Sequence, residues 1–154
     1  MSTTPKHSVS VAGVVIREDG RVLAIQRADN GTWEPPGGVL ELTETFEDGV
    51  RREVYEETGI KVTVDRLTGV YKNMTRGVVA LVFLCRPEGG HEQLSDETAA
   101  IDWLTPDQVK SNMGEVYAVR VHDALCDDEA PMIRVHDGRT LIDPEPHSFT
   151  GRTA

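Results

Sequence analysis

One segment, residues 45–58, combines strong helix signals with an unusual number of glutamates. Thr45 is a suitable N-cap residue, and Gly59 is suited to the position just beyond a helix C-terminus. Glu47 and Asp48 would lie in the first turn, where the helix dipole favours negative charge. These signals predict a helix over 45–58.

The glutamates of this helix fall on its apolar side. The predicted apolar stripe consists of Phe46, Val50 and Val54. At about 100° of rotation per residue, Glu53 and Glu57 lie inside this stripe and Glu56 flanks it. Like charges at this spacing repel, and carboxylates are costly to bury without a partner. Two explanations remain: an ion-pair network, for which Arg51 and Arg52 are the nearest cations, or a divalent metal ion, which prefers clustered oxygen ligands.

The segment before the helix, Trp-Glu-Pro-Pro-Gly-Gly over residues 33–38, is not expected to form regular structure. Its prolines lack amide protons and its glycines permit unusual backbone dihedrals. Gly37 and Gly38 would let the chain fold back over the helix and approach a ligand closely. The combination of turn, helix and inward carboxylates favours the metal ion over the ion-pair network.

The sequence from Gly38 to Ile60, GVLELTETFEDGVRREVYEETGI, resembles the signature of the Nudix hydrolase family. That signature is G-x5-E-x7-R-E-U-x-E-E-x-G-U, in which U is a bulky aliphatic residue. Nine fixed positions match without a gap: Gly38, Glu44, Arg52, Glu53, Val54, Glu56, Glu57, Gly59 and Ile60. A second family pattern places a glutamate six residues before a tryptophan, as Glu97 and Trp103 stand here.

The resemblance implies an α/β fold: an α/β/α sandwich with a mixed central sheet and a loop–helix–loop catalytic motif. By position it also implies four metal ligands: the Gly37 carbonyl oxygen and the carboxylates of Glu53, Glu56 and Glu57. Arg52 would orient the glutamates through an ion pair that involves Glu44. The expected cofactor is Mg²⁺, for which Mn²⁺ can substitute.

The reaction implied by the resemblance is hydrolysis of a phosphoanhydride bond in a nucleoside diphosphate linked to another moiety. A carboxylate would take a proton from the attacking water. Glu97 is the first candidate for this base and Glu53 the second. The Trp-x-x-Pro-Gly-Gly approach and the small size favour a (d)NTP or oxidised-nucleotide pyrophosphohydrolase of the MutT kind. The alternatives are an ADP-ribose, nucleotide-sugar or dinucleotide-polyphosphate hydrolase, or a nucleotide-sensing domain without catalysis, which the intact glutamate set disfavours.

Two further residues are candidates for substrate binding. Trp33 can stack on a base or line the pocket, and it can equally anchor the loop to the core. Arg27, at the end of a predicted strand, can meet a phosphate or remain on the solvated surface.

The net charge of −10 limits the class of partner. Nucleic acids and anionic membranes require a positive surface, so neither is expected as a partner. A small-molecule nucleotide is also anionic, but it can bind where a metal ion supplies the positive charge. The expected partner is therefore a small nucleotide, with a second copy of the chain as a candidate because dimers are frequent in the family.

The length of 154 residues suits one domain. We expect that domain at 7–143, with a flexible N-terminus at 1–6 and a flexible tail at 144–154. No apolar stretch long enough to span a bilayer and no secretory signal is evident, so a cytoplasmic protein is expected. Asp19 and Gly20 lie between two apolar runs and predict a β-hairpin.

Overall fold

The computed structural model describes residues 3–143. The predicted tail at 144–154 and residues 1–2 of the predicted N-terminal segment lie outside this range. Residues 3–7 are exposed and form no helix or strand. The boundaries of the expected domain therefore stay a prediction.

Nine strands and three helices follow one another along residues 3–143. In chain order they are β1 (Ser8–Val15), β2 (Val22–Arg27), β3 (Trp33–Glu34), β4 (Gly37–Val39), α1 (Phe46–Thr58), β5 (Ile60–Asn73), β6 (Val78–Gly90), β7 (Thr98–Leu104), α2 (Pro106–Asn112), α3 (Glu115–Leu125), β8 (Met132–His136) and β9 (Leu141–Ile142). None of the helices in this part of the chain has the length and hydropathy needed to cross a membrane.

The strands form two sheets. Six of them make a mixed sheet in the order β4-β1-β6-β5-β8-β9, in which the pairs β1–β6 and β5–β8 are parallel. The other three make an antiparallel sheet in the order β3-β2-β7. The predicted α/β sandwich with a mixed central sheet is confirmed, and the small second sheet is an addition to it. The expectation that residues 33–38 lack regular structure is wrong, because β3 pairs with β2 and β4 pairs with β1, and only the two prolines between them lie outside the strands.

Helices cover both faces of the mixed sheet. In β1, Val11 and Val15 belong to a core cluster with α1, whereas Ala12 and Val14 belong to a second cluster with α2 and α3. Successive side chains of a strand point to opposite faces, so an apolar run such as β1 indicates burial on both faces. This double burial fixes α1 against the strand that also pairs with β4.

The predicted hairpin at Asp19 and Gly20 is correct as a turn and wrong as a strand pairing. Gly20 has a φ of 83° and the chain reverses there. Within residues 3–143, however, β1 and β2 share only the isolated bridge between Ile16 and Val22. β6 pairs with β1 along its whole length, whereas β2 pairs with β3 and β7 and diverges into the second sheet.

The ends of α1 agree with the prediction. The Thr45 side chain accepts a hydrogen bond from the Asp48 amide at 3.2 Å. Gly59 has a φ of 76°, and its amide donates to the Tyr55 carbonyl. Phe46, in contrast, was wrongly assigned to the apolar stripe, because it is 47% exposed whereas Val50 and Val54 are fully buried. Phe46 is the first residue of the helix, three residues before the first buried position, Gly49.

The packing of α1 on β1 depends on Gly13. A Cβ atom at Gly13 would lie 3.1 Å from Val54 and 3.2 Å from Val50. We therefore expect Gly13→Val to lower the free energy of unfolding by about 1–3 kcal/mol through overpacking. Urea denaturation measures this change, with the m-value as a check on two-state behaviour.

Gly89→Val is the matched control, because Gly89 also lies in a strand and its nearest contact for a Cβ is 4.0 Å away. Its stability should stay close to that of the wild type. Equal destabilisation in both variants would contradict the packing argument.

Candidate functional site

The site is formed where the last two turns of α1 meet strand β4. Glu57 is only 6% exposed, and its carboxylate accepts a hydrogen bond from the Gly37 amide at 3.2 Å. Gly37 pairs with Ala12 of β1, and a Cβ atom at Gly37 would collide with the Val11 carbonyl oxygen. Only glycine therefore fits against β1 at this position, from which its amide reaches Glu57.

Glu53 lies one helical turn before Glu57 and faces the same strand. A Cβ atom at Gly38 would lie 2.6 Å from the carboxylate carbon of Glu53. Burial, followed by the charge of Glu53 and a hydrogen bond to it, raises the pKa of Glu57 to about 8. The two carboxylates are therefore held together where they need either a shared proton or a cation.

Arg52 forms hydrogen bonds with three carboxylates, those of Glu44, Glu53 and Glu56. Its guanidinium donates to both oxygens of Glu44, at 2.8 and 2.6 Å, which is the bidentate geometry of a strong pair. Nη1 of Arg52 also donates to Glu53 at 2.8 Å and to Glu56 at 3.2 Å. The hydrogen bonds from Arg52 lower the pKa of Glu44 to about 2.

Gly49 makes room for this arrangement. It is buried in α1, and a Cβ atom there would lie 2.6 Å from Leu40 and 3.1 Å from Glu44. The loop between β4 and α1 can therefore press against the helix and bring Glu44 to Arg52.

The four predicted metal ligands divide into two groups. Gly37, Glu53 and Glu57 lie together, whereas the Glu56 side chain is 58% exposed and bonds to Arg52 on the outer side. Gly37 meets Glu57 through its amide rather than through the predicted carbonyl oxygen. Among residues 3–143, no three His, Cys, Asp or Glu side chains converge as a complete metal-binding group.

A cavity of about 440 Å³ opens beside Glu57. Its lining consists of Ile25, Arg27, Ala28, Asp29, Glu34, Gly37, Glu57, Asp96 and Glu97. Arg27 and Glu97, two predicted site residues that are far apart in the sequence, therefore line the same cavity as Gly37 and Glu57. The carboxylates in this wall outnumber its one arginine, so an anionic ligand would need a cation there.

The loop that carries Glu97 is tied to its surroundings. The carbonyl oxygen of Glu97 accepts from the Ala28 amide at 3.0 Å. Farther back along the loop, the Gln93 amide donates to the carbonyl oxygen of Thr58, which follows Glu57. The Glu97 side chain itself is exposed, which leaves its carboxylate accessible to the cavity.

Arg27 and Trp33 differ in how they relate to the cavity. Arg27 lines it, with its guanidinium held by Asp29 at 2.6 Å and by Glu34 at 3.3 Å. Trp33 is half-buried against the core cluster of α2 and α3 and forms a bridge with Met113. It is absent from the described lining of this cavity, so the anchoring interpretation fits its position and substrate contact stays a prediction.

Glu34 is a site residue that the sequence did not indicate. It is 7% exposed, and its Oε2 atom has no hydrogen-bond partner among residues 3–143. Burial raises its pKa, against the opposing effect of Arg27. Glu34 pairs with Ile25 across β3 and β2, and this register turns its side chain into the cavity. Successive residues of a strand point to opposite faces, so Trp33 packs against the core cluster while Glu34 faces the cavity.

Comparisons with known proteins agree with this architecture. A family model described as NUDIX domain matches residues 6–124. A MutT-like protein from Streptomyces ambofaciens is 67% identical over 141 residues, which cover 92% of this chain and 91% of that protein. An ADP-ribose pyrophosphatase from Methanocaldococcus jannaschii is 37% identical over 104 residues, covering 63% of this chain and 61% of that protein.

Solved structures share the fold. The crystal structure of an ADP-ribose pyrophosphatase from Streptococcus suis aligns with a TM-score of 0.72 at 23% identity and covers 83% of this chain and 99% of that one. The family expected from the signature is thereby confirmed. The chain belongs to the Nudix family and is a hydrolase of nucleoside diphosphate-linked substrates.

Proposed function

We propose that the protein is a pyrophosphohydrolase of (d)NTPs or oxidised nucleotides that works with Mg²⁺, or with Mn²⁺ in its place. The observation that carries this proposal is the pair of Glu53 and Glu57, held in contact beside Gly37 at the edge of a cavity. Two carboxylates in contact, one of them buried, form a poor arrangement for a solvated helix and a good one for a divalent cation.

The donor set fits this cofactor. Mg²⁺ is bound by a few carboxylates together with water and phosphate oxygens. Glu53 and Glu57 would hold the metal ion from the inner side of α1. Glu56 would become a further ligand through rotation of its side chain away from Arg52. When bound, the ion supplies positive charge to the phosphoryl oxygens and makes a water molecule more acidic.

The side chains of the cavity would then divide the remaining work. Glu97, exposed on a tethered loop, is the first candidate to take the proton of the attacking water, and Glu53 is the second. The water attacks one phosphorus and the remaining phosphate-containing fragment leaves. Arg52 positions Glu53 and Glu56 through its hydrogen bonds and is anchored in turn by Glu44.

The choice of substrate rests on the relatives and on the size of the chain. The Streptomyces relative is described as MutT-like and matches over most of both chains, which supports a (d)NTP or an oxidised nucleotide. The Methanocaldococcus relative is described as an ADP-ribose pyrophosphatase, which keeps ADP-ribose as the second candidate. A cytoplasmic location and a homodimer stay predictions.

A substrate panel tests the function. The purified protein is assayed with Mg²⁺ and with Mn²⁺ against nucleoside triphosphates, 8-oxo-dGTP, ADP-ribose, nucleotide sugars and dinucleotide polyphosphates, and the products are separated by anion-exchange chromatography. We expect the highest kcat/KM for a triphosphate, with the nucleoside monophosphate and pyrophosphate as products. Faster turnover of ADP-ribose than of every triphosphate would overturn the proposed substrate class and leave the metal site standing.

The carboxylate pair is tested by Glu53→Gln and Glu57→Gln. Each substitution removes one charged oxygen ligand, and we expect kcat to fall by about 100-fold or more at saturating Mg²⁺. Glu47→Gln is the control, because Glu47 is exposed in the first turn of the same helix. Near-normal turnover of both site variants at high Mg²⁺ would rule out the metal assignment.

The positioning role of Arg52 is tested by a substitution that keeps its charge. Arg52→Lys removes the bidentate contact with Glu44, and we expect Mn²⁺ affinity to fall about tenfold, the lower end of what loss of an outer-shell partner costs. Electron paramagnetic resonance of free Mn²⁺ measures this affinity without any turnover.

Arg51→Lys is the matched control, because Arg51 is exposed and its one side-chain hydrogen bond within residues 3–143 goes to Asp48, at 3.0 Å. Its Mn²⁺ affinity should equal that of the wild type. An equal loss in both variants would show that the effect comes from the helix as a whole rather than from the network around Arg52.

A further inference from the structure

A second and larger cavity adjoins the one beside Glu57. Its volume is about 800 Å³, within the range that accommodates a nucleoside-sized ligand. It shares Arg27 and Asp29 with the first cavity. Its far wall is made by the β5–β6 turn, the β8–β9 turn and Tyr117 of α3. One ligand could therefore extend from the paired glutamates into this second cavity.

Each of the two turns contributes an arginine to the far wall. Arg76 lies in the β5–β6 turn and Arg139 in the β8–β9 turn, and both are exposed. Within residues 3–143 neither guanidinium has an ion-pair partner, in contrast to Arg27, Arg52 and Arg134. In a chain of net charge −10, two unpaired arginines facing one cavity are a local excess of positive charge.

The carboxylates of this cavity are engaged elsewhere. Asp29 is bound by Arg27 at 2.6 Å. Asp137 accepts hydrogen bonds from the amides of Arg139 and Thr140, both at 2.8 Å. Within residues 3–143 neither carboxylate forms an ion pair with the guanidinium of Arg76 or Arg139, so both guanidinium groups remain available to an anion.

The backbone of both turns is fixed by hydrogen bonds. The Asn73 side chain accepts from the amides of Thr75 and Arg76 at 3.0 and 3.1 Å. The Thr75 hydroxyl donates to the Asp137 carbonyl at 3.1 Å, and the Met74 amide donates to the His136 carbonyl at 2.8 Å. These hydrogen bonds connect the two turns and fix their backbone, so less backbone entropy is lost when a ligand binds.

We propose that Arg76 and Arg139 bind a second phosphoryl group of the substrate, separate from the phosphorus attacked beside Glu57. The guanidinium group matches phosphate oxygens in charge and in geometry. The substrate class is then a nucleotide with an additional phosphate, whose nucleoside occupies the cavity beside Tyr117. This inference rests on the proposed function for the identity of the ligand, but its binding test does not need hydrolysis.

The additional phosphate has two chemical sources: the ribose of a phosphorylated nucleotide, or the end of a longer phosphate chain. Four probes with one base distinguish them: AMP, ADP, adenosine 2′,5′-bisphosphate and adenosine 3′,5′-bisphosphate. Affinities are measured by isothermal titration calorimetry in EDTA, so that neither the metal nor turnover contributes. We expect at least one doubly phosphorylated probe to bind about tenfold more tightly than AMP, as a charged hydrogen bond would provide.

Three variants locate the binding group. Arg76→Gln combined with Arg139→Gln should abolish the preference over AMP, and each single variant should reduce it. Arg86→Gln is the control, because Arg86 is an exposed arginine of β6 that lines a different cavity, and it should keep the preference. Thermal unfolding confirms that the variants remain folded.

The outcomes separate this inference from the proposed function. If a bisphosphate binds more tightly than AMP, the additional phosphate is on the ribose. If only ADP binds more tightly than AMP, the additional phosphate is at the end of the phosphate chain. In either case the double variant must lose the preference. No preference over AMP, or a preference that survives in the double variant, overturns the inference. If no phosphoanhydride is hydrolysed while the preference persists, only the proposed function fails.

Discussion

The contact between strand β4 and the end of α1 is the interaction on which the rest of the site depends. Glycine at 37 and 38 lets the strand approach until the Gly37 amide reaches the Glu57 carboxylate and Gly38 rests against Glu53. β1 holds both partners, because it pairs with β4 at its edge and packs on α1 through one face. The cavity follows from this contact, since Gly37 and Glu57 form part of its wall.

The carboxylates in and next to the acidic helix α1 have two kinds of partner, the Arg52 guanidinium and the Gly37 amide. Arg52 engages Glu44, Glu53 and Glu56, so one guanidinium is shared among three carboxylates. Among residues 3–143 Glu57 has no arginine partner, and it relies on the Gly37 amide and the shared interaction with Glu53. An ion-pair network and a metal site are therefore not exclusive explanations, because Arg52 reaches Glu53 while the buried carboxylate beside it, Glu57, is left without a cation among residues 3–143.

Local features were predictable from the sequence, and features set by distant contacts were not. Thr45 and Gly59 mark the ends of α1 through their own hydrogen bonds, so both could be read directly. The divergence of β1 and β2 after Gly20 could not, because it depends on the pairing of β2 with β3 and with the distant strand β7. Glu34 was missed for the same reason, since its inward direction is set by pairing with Ile25.

The two cavities differ in charge, and this difference would orient a ligand that extends across both. The first cavity is acidic and needs a cation to accept phosphate, whereas the second carries Arg76 and Arg139 without carboxylate partners in the described chain. Arg27 lies in both, and its charge is already balanced by Asp29 and Glu34, so it marks the boundary rather than a third anion site. An anionic ligand held at both ends would be fixed in one orientation, because each end meets positive charge of a different kind.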